Sequence, residues 1–268
     1  MIPLSKTVCV IPLSSVWFGA HLREKTLRVA SILRTCGIFR IPTLYLLDDI
    51  GERATRDEVK EIADYLLLPP YLKKHIKLSD TLRYVGIAPP IKTPWHQVKF
   101  DSEPALGEVR AGIVVSADSN RTLVDVGLRD YCELTGADQI RAGTRVIVQV
   151  ISPKSHSNHR PRAKIITTPR GMYLGTELRM VPTNDLSWVD PNWYKVELTR
   201  HGSGHWSELP RNENRWIAIF VGNQRDDPSA ICSVSFDKRV CLMHYQGVET
   251  IRSEEAIFIA LSQLSGLN

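Results

Sequence analysis

The chain has 268 residues, a formal charge of +5, 43% hydrophobic and 24% charged residues, which disfavours global disorder and supplies a core for one large or two smaller domains. The positive balance fits an anionic partner, RNA or DNA ahead of a membrane. Five cysteines, odd in number and without a CxxC pair, argue against a disulfide framework or a cysteine-ligated zinc site and fit a reducing cytoplasm.

The first part alternates strands and helices. Thr7–Ile11 is a short β-branched run closed by Pro12. Val8–Ala20 is apolar enough to pass for a signal segment, but Pro12, Ser14 and Ser15 interrupt it and only Lys6 precedes it, so it reads as strand plus loop. No other run approaches the roughly 20 apolar residues of a membrane helix. Glu24–Cys36 puts Leu27, Ala30, Ile32, Leu33 and Cys36 on one helical face and stops at Gly37. Thr43–Leu47 is a second strand, ended by Asp48 and Asp49, and Arg56–Leu68 is a second helix, stopped by Pro69 and Pro70. This order predicts a parallel sheet with crossover helices.

Beyond Pro89–Pro94 the texture changes. Val109–Val115, Thr122–Val126, Thr144–Ile151 and Ala163–Thr167 are short, turn-separated β-branched runs, which predict a small barrel, OB-like by preference. The loop Pro153–Arg162 is basic and polar, fitting either a nucleic-acid contact or a plain hairpin tip. Arg110, Arg145, Lys154, Arg160, Arg162 and Lys164 are the candidate RNA contacts, alongside Arg121, Arg129 and Arg141. Tyr131, Trp95 and Phe100 are its few aromatics, so phosphate contacts should outweigh base stacking.

After Arg170 the α/β texture returns with strands at Lys195–Thr199, Trp216–Val221 and Arg239–Met243, then a helix over Ser253–Leu264 with Ser253 as N-cap. The expected domains are therefore 1–95 joined with 170–268, and an insertion at 96–169. Each of the last three strands ends in a loop with glycine: Gly202 and Gly204, Gly222, Gly247. Ligands of open α/β sheets bind beyond the carboxyl ends of strands, where glycine lets the backbone approach closely. Ordinary turns use glycine too. His156 with His159, and His201 with His205, lie in loop-like stretches without a nearby cysteine, so no metal site is expected. The chain also carries neither a GxxxxGK[ST] phosphate loop nor a GxSxG nucleophile elbow.

The tail Cys241–Leu261 resembles the final motif of the SPOUT RNA methyltransferases, above all the run Gln246–Ile257. It is most similar to the archaeal and eukaryotic branch in which an OB-like domain interrupts a trefoil-knotted α/β domain. Ile32–Phe39 and Pro169–Leu178 carry further similarity, so it spans essentially the whole chain. The resemblance implies a knotted parallel-sheet fold, homodimerisation through the knot helices with Glu254–Leu264 at the interface, and S-adenosylmethionine as methyl donor. Carried across, the cofactor loops are 199–204, 221–223 and 241–248, with Thr199, Gly202, Gly204, Phe220, Val221, Gly222, Asn223, Cys241, Leu242, His244, Gly247 and Val248 as the binding residues. Arg34 resembles a family arginine near the donor methyl, and Arg225 could clamp RNA phosphate. The stretch Phe220–Asp227 departs from the Gly-x-Pro-rich form of relatives. A cytoplasmic methyltransferase of structured RNA, ribosomal ahead of transfer RNA, is the expectation; the second reading is a non-catalytic RNA-binding or ribosome-assembly protein retaining the fold.

Overall fold

The computed structural model describes residues 4–17, 21–93, 96, 103–118, 121–136, 140–153, 160–168, 172–209 and 215–266. Two compact units emerge. One comprises Met1–Leu67, Ser79–Ile91 and Gly175–Asn268, the other Leu68–Leu78 and Lys92–Leu174.

The first unit is built on a six-stranded parallel sheet. Its strands are β1 (Thr7–Pro12), β2 (Thr43–Asp48), β8 (Glu177–Pro182), β9 (Tyr194–Leu198), β10 (Ile217–Phe220) and β11 (Lys238–Val240), in the spatial order β11-β9-β10-β1-β2-β8. Strand β1 is buried along its whole length, as expected for a central parallel strand covered on both faces. It pairs with β2 on one side (Val8 opposite Thr43) and β10 on the other (Val8 opposite Ala218). The strand order therefore reverses at β1, and the crevice beyond the carboxyl ends at such a switch point is where open sheets hold ligands.

Helices α1 (Leu13–Trp17), α2 (Leu22–Ile38), α3 (Arg53–Leu67), α4 (Pro228–Ile231) and α5 (Ser253–Gly266) complete the unit. The periodic face expected on α2 is buried through Val29, Ala30, Ile32, Leu33 and Cys36, and α2 packs against α3 and α5. A second cluster joins Val8, Val10, Tyr45, Ala218 and Phe220 to Trp193, Cys232 and Val234. Strand β8 was not anticipated: exposed Glu177 and Arg179 alternate with half-buried Leu178 and Met180, and only Val181 is buried, so the edge strand carries no continuous apolar run. Ser253 is the first helical residue of α5 rather than its cap, and its hydroxyl donates instead to the Gly222 carbonyl at 2.9 Å.

The second unit is a closed barrel of β3 (Val109–Ala117), β4 (Thr122–Asp125), β5 (Cys132–Leu134), β6 (Arg145–Ser152) and β7 (Arg162–Ile165), ordered β3-β4-β5-β7-β6. All its pairs are antiparallel except β5 with β7. Val114, Val124, Cys132, Val148 and Ala163 fill the interior. The three-residue β5 is too short to show a period of two, which is why no strand was expected there. The segment Leu68–Leu78, which directly follows α3, belongs to this unit: Leu68 and Leu72 pack on Ile113. Among the described residues no helix is long and apolar enough to cross a membrane.

Candidate functional site

Beyond the carboxyl ends of β9, β10 and β11 lies a cavity of about 490 Å³, within the range of small-molecule sites. Its walls come from Thr199 and Arg200 after β9, residues 221–227 after β10, 241–243 after β11, and 249–256 at the start of α5.

The first wall is set by close backbone approach. The Thr199 and Gly204 N–H groups donate to Val240 and Arg239 carbonyls at 3.1 and 3.0 Å. A Cβ on Gly202 would fall 2.6 Å from the Val240 carbonyl carbon, and one on Gly204 would fall 2.7 Å from the Arg239 oxygen. These glycines let the loop after β9 lie against β11, and they do not line the cavity. The Thr199 hydroxyl donates to Asp227 at 2.6 Å and so joins the first wall to the second.

In the second wall, Asn223 Oδ1 accepts the N–H groups of Arg225 and Asp226 at 2.8 and 2.7 Å, while its own N–H donates to the Asp226 carbonyl at 3.0 Å. Its amide nitrogen donates to Ser14 Oγ at 3.1 Å, and Ser14 donates in turn to Asp49 through its hydroxyl and, at 2.9 Å, its backbone N–H. One side chain thus fixes the loop after β10 to the ends of β1 and β2. The loop lacks the expected prolines, and this hydrogen bonding gives it a fixed shape by other means.

The remaining walls are tied by Gln263 to the Leu242 carbonyl at 3.1 Å, by Arg200 to the Glu249 carbonyl at 2.9 Å, and by Ser253 to Gly222. Arg200, Arg225 and Arg252 line the cavity together with Asp226, Asp227 and Glu249. Both charge signs are therefore available to a zwitterionic or nucleotide-like ligand.

Among the residues expected at a cofactor site, Thr199, Val221, Gly222, Asn223, Cys241 and Leu242 line this cavity, as does Arg225. Gly247 and Val248 line a neighbouring, more apolar groove between α2 and α5. Gly202, Gly204, Phe220 and His244 line neither, and Phe220 is buried in the core. Arg34 also lines neither: it is exposed on α2 and donates to the Pro90 carbonyl at 2.7 Å. Sequence reasoning missed the contribution of residues 249–256, although Gln246–Ile257 was the most specific stretch of the chain. It also missed Ser14 and Asp49, whose role depends on neighbouring strands.

On the barrel, Arg145, Arg160, Arg162 and Lys164 are exposed, whereas Lys154 lies outside the described residues. Arg110 departs from the expectation of an RNA contact. It is 4% exposed, and its guanidinium is engaged by Glu108 at 2.8 Å and the Val126 carbonyl. His205 caps a short turn through Ser207, and among the described residues no group of His, Cys, Asp or Glu is arranged to hold a metal. His156 and His159 fall outside them.

Comparison with known proteins gives the family. A Drosophila melanogaster protein named 28S rRNA (uridine-N(3))-methyltransferase is 27% identical over 316 residues, covering 98% of this chain. The chain spans 62% of that protein's length. The human protein of the same name is 25% identical over 278 residues, covering 90% of this chain and 72% of that protein. An uncharacterised protein of Halobacterium salinarum is 26% identical over 287 residues, covering 96% and 97%. The family model described as "Putative RNA methyltransferase" matches residues 6–189. That match spans more than half of the sequence, and the chain belongs to this RNA methyltransferase family.

Proposed function

We propose that the chain transfers a methyl group from S-adenosylmethionine to a nucleotide of ribosomal RNA, with the cavity beyond β9, β10 and β11 as the cofactor site. The observation that carries the reading is the convergence of three strand-end loops and the start of α5 on one cavity beyond the carboxyl ends of β9, β10 and β11. Its donor set fits the cofactor. Carboxylates of Asp226, Asp227 and Glu249 suit a cationic sulfonium and ammonium, and arginines suit a carboxylate. Bound there, the cofactor supplies an already activated methyl. What falls to the chain is to hold the acceptor in line and to exclude water.

Ribosomal RNA is favoured because the fly and human relatives are named for it. The names of the same relatives favour uridine N3 as the acceptor, a position that must lose a proton; Asp226 and Glu249 are exposed carboxylates at the cavity suited to receive it.

The barrel's order β3-β4-β5-β7-β6, with its one parallel pair, supports an OB-like RNA-binding insertion between the two halves of the catalytic domain. The trefoil knot is proposed from the family resemblance of Gln246–Ile257; α5 is tied to the loop after β10 by Ser253 bonding Gly222, and to Trp206 through Gln263 at 2.5 Å. Homodimerisation is supported by exposed Met243, Val248 and Phe258 around the groove between α2 and α5. Arg34, exposed on α2, is the proposed group near the donor methyl. The cytoplasm is the proposed compartment.

Titration calorimetry with S-adenosylhomocysteine tests the site. Stoichiometric binding is expected. Folded protein that binds none would leave an RNA-binding protein without catalysis in place of this reading.

A further inference from the structure

The segment Leu68–Leu78 holds four basic residues within five positions: Lys73, Lys74, His75 and Lys77. A charge run of this kind is ordinarily a solvated face. Here, however, it is bolted to the barrel. Leu72 is 1% exposed against Ile113, and Tyr71 donates to the Ala111 carbonyl at 3.0 Å. The Tyr71 ring lies over Gly127, whose positive φ of 78° and lack of Cβ leave room for it; a Cβ there would sit 2.6 Å from the ring. Asp125, fully buried, accepts from Lys74 at 2.7 Å, from His75 at 2.6 Å and from the Gly127 N–H at 2.9 Å.

The strand register then places two further cations beside this segment. Ile113 of β3 is paired with Asp125 of β4 on one side and Arg145 of β6 on the other. Lys74 and His75 therefore stand at one end of a three-strand row and Arg145 at the other. The row is about 10 Å long at the usual strand spacing, the reach of two or three nucleotides at a rise of about 3.4 Å. Arg129, exposed, lies two residues beyond Gly127. Lys74 remains 52% exposed while bonded to Asp125, and Lys77 is exposed. Asp125 offsets part of this charge and anchors Lys74 and His75 on a rigid support.

We propose that this rim of the barrel, formed by Lys73, Lys74 and Lys77 with Arg129 and Arg145, is a binding surface for the phosphate backbone of the RNA substrate. It rests on the RNA methyltransferase reading and adds to it a contact segment that lies between the two helical stretches of the α/β half in sequence. Lys74, held by its bond to buried Asp125, loses little side-chain entropy when phosphate arrives, whereas a flexible lysine must be ordered on binding. Burial also lowers the pKa of the half-buried Lys73 ammonium, so an anion beside it restores lost solvation.

The test is fluorescence anisotropy of a labelled RNA stem-loop against the full-length protein over a series of salt concentrations. Each phosphate contact removed should flatten the slope of log affinity against log salt by roughly 0.7 to 0.9. A triple variant Lys73→Gln, Lys77→Gln, Arg129→Gln leaves Asp125 and its partners in place. It should bind about tenfold or more weakly with a slope flatter by about 2, while S-adenosylhomocysteine affinity and melting temperature hold. Lys60→Gln, on α3, should change neither affinity nor slope. If wild type binds the RNA and the triple variant matches it in affinity and slope, the rim is overturned alone. If wild type does not bind RNA although it binds S-adenosylhomocysteine, the rim falls together with the RNA-binding role of the barrel, and the cofactor site stands.

Discussion

Substituting Gly222 by alanine perturbs the proposed cofactor site at its tightest point. The added Cβ would lie 2.3 Å from the Asp226 carbonyl oxygen and 3.2 Å from the Asp227 Cα. Both obstacles are backbone, so no side chain can swing away. The oxygen is more than 1 Å inside ordinary contact distance, and the loop 222–227 must retreat by about that much. That retreat strains the Asn223 hydrogen bonds to Arg225 and Asp226 and the Ser253 bond to Gly222. Overpacking of this kind costs about 1–3 kcal/mol, and if the cost falls on the ligand-bound loop it weakens binding roughly five- to hundredfold. Gly247 is the internal comparison, because a Cβ there meets nothing within 4 Å. Calorimetry with S-adenosylhomocysteine on Gly222→Ala and Gly247→Ala should therefore separate the two, with Gly247→Ala near wild type. Gly222→Ala binding within twofold of wild type, in a protein of unchanged melting temperature, would refute the assignment of this loop to the site.

Other outcomes follow from the same geometry. Ser14→Ala and Asp49→Asn each cut the tie that holds Asn223, and each should lower S-adenosylhomocysteine affinity several-fold; the double variant should cost no more than the worse single one, and additive losses would mean the two do not act in one chain. Arg34→Ala should slow methyl transfer more than tenfold with cofactor affinity nearly unchanged, whereas unaltered turnover would remove Arg34 from the chemistry. For Asp125, burial raises the carboxyl pKa, but hydrogen bonds from Lys74, His75 and the Gly127 N–H outweigh it and hold it below the usual carboxylate range. The stability it contributes is then present above the unfolded value of about 3.9 and is lost as pH falls through the lower folded value. Denaturant melts of the full chain between neutral and strongly acidic pH should show Asp125→Asn less stable at neutral pH and with a flatter acid limb; an unchanged limb would contradict this.

Much of the architecture was legible because it rests on periodicity. The α2 face and the β-branched runs of β1, β6 and β10 state their burial in their own sequence, whereas β9 buries Glu197 against its type. The edge strand β8 and the three-residue β5 do not, since their pairing comes from neighbours distant in the chain. The same limit applied to the site. Glycine-bearing strand ends pointed to three loops, two of which border the cavity along their length, yet Gly202 and Gly204 let the loop after β9 lie against β11 and Gly247 belongs to the adjacent groove. Arg110 looked like a phosphate contact because charge is visible in sequence and burial is not; Glu108 is a near neighbour in the chain, but only the fold brings the Val126 carbonyl to it. The Asn223–Ser14–Asp49 chain joins residues up to 209 positions apart, which no local pattern reveals.

The most direct test is transfer of a labelled methyl group from S-adenosylmethionine to ribosomal RNA lacking its native modifications, followed by nucleoside analysis of the product. Incorporation into a single uridine at N3, abolished by Gly222→Ala at limiting cofactor, is the expected result. Protein that binds S-adenosylhomocysteine and RNA yet leaves every nucleotide unmethylated would contradict the assignment of ribosomal RNA as substrate.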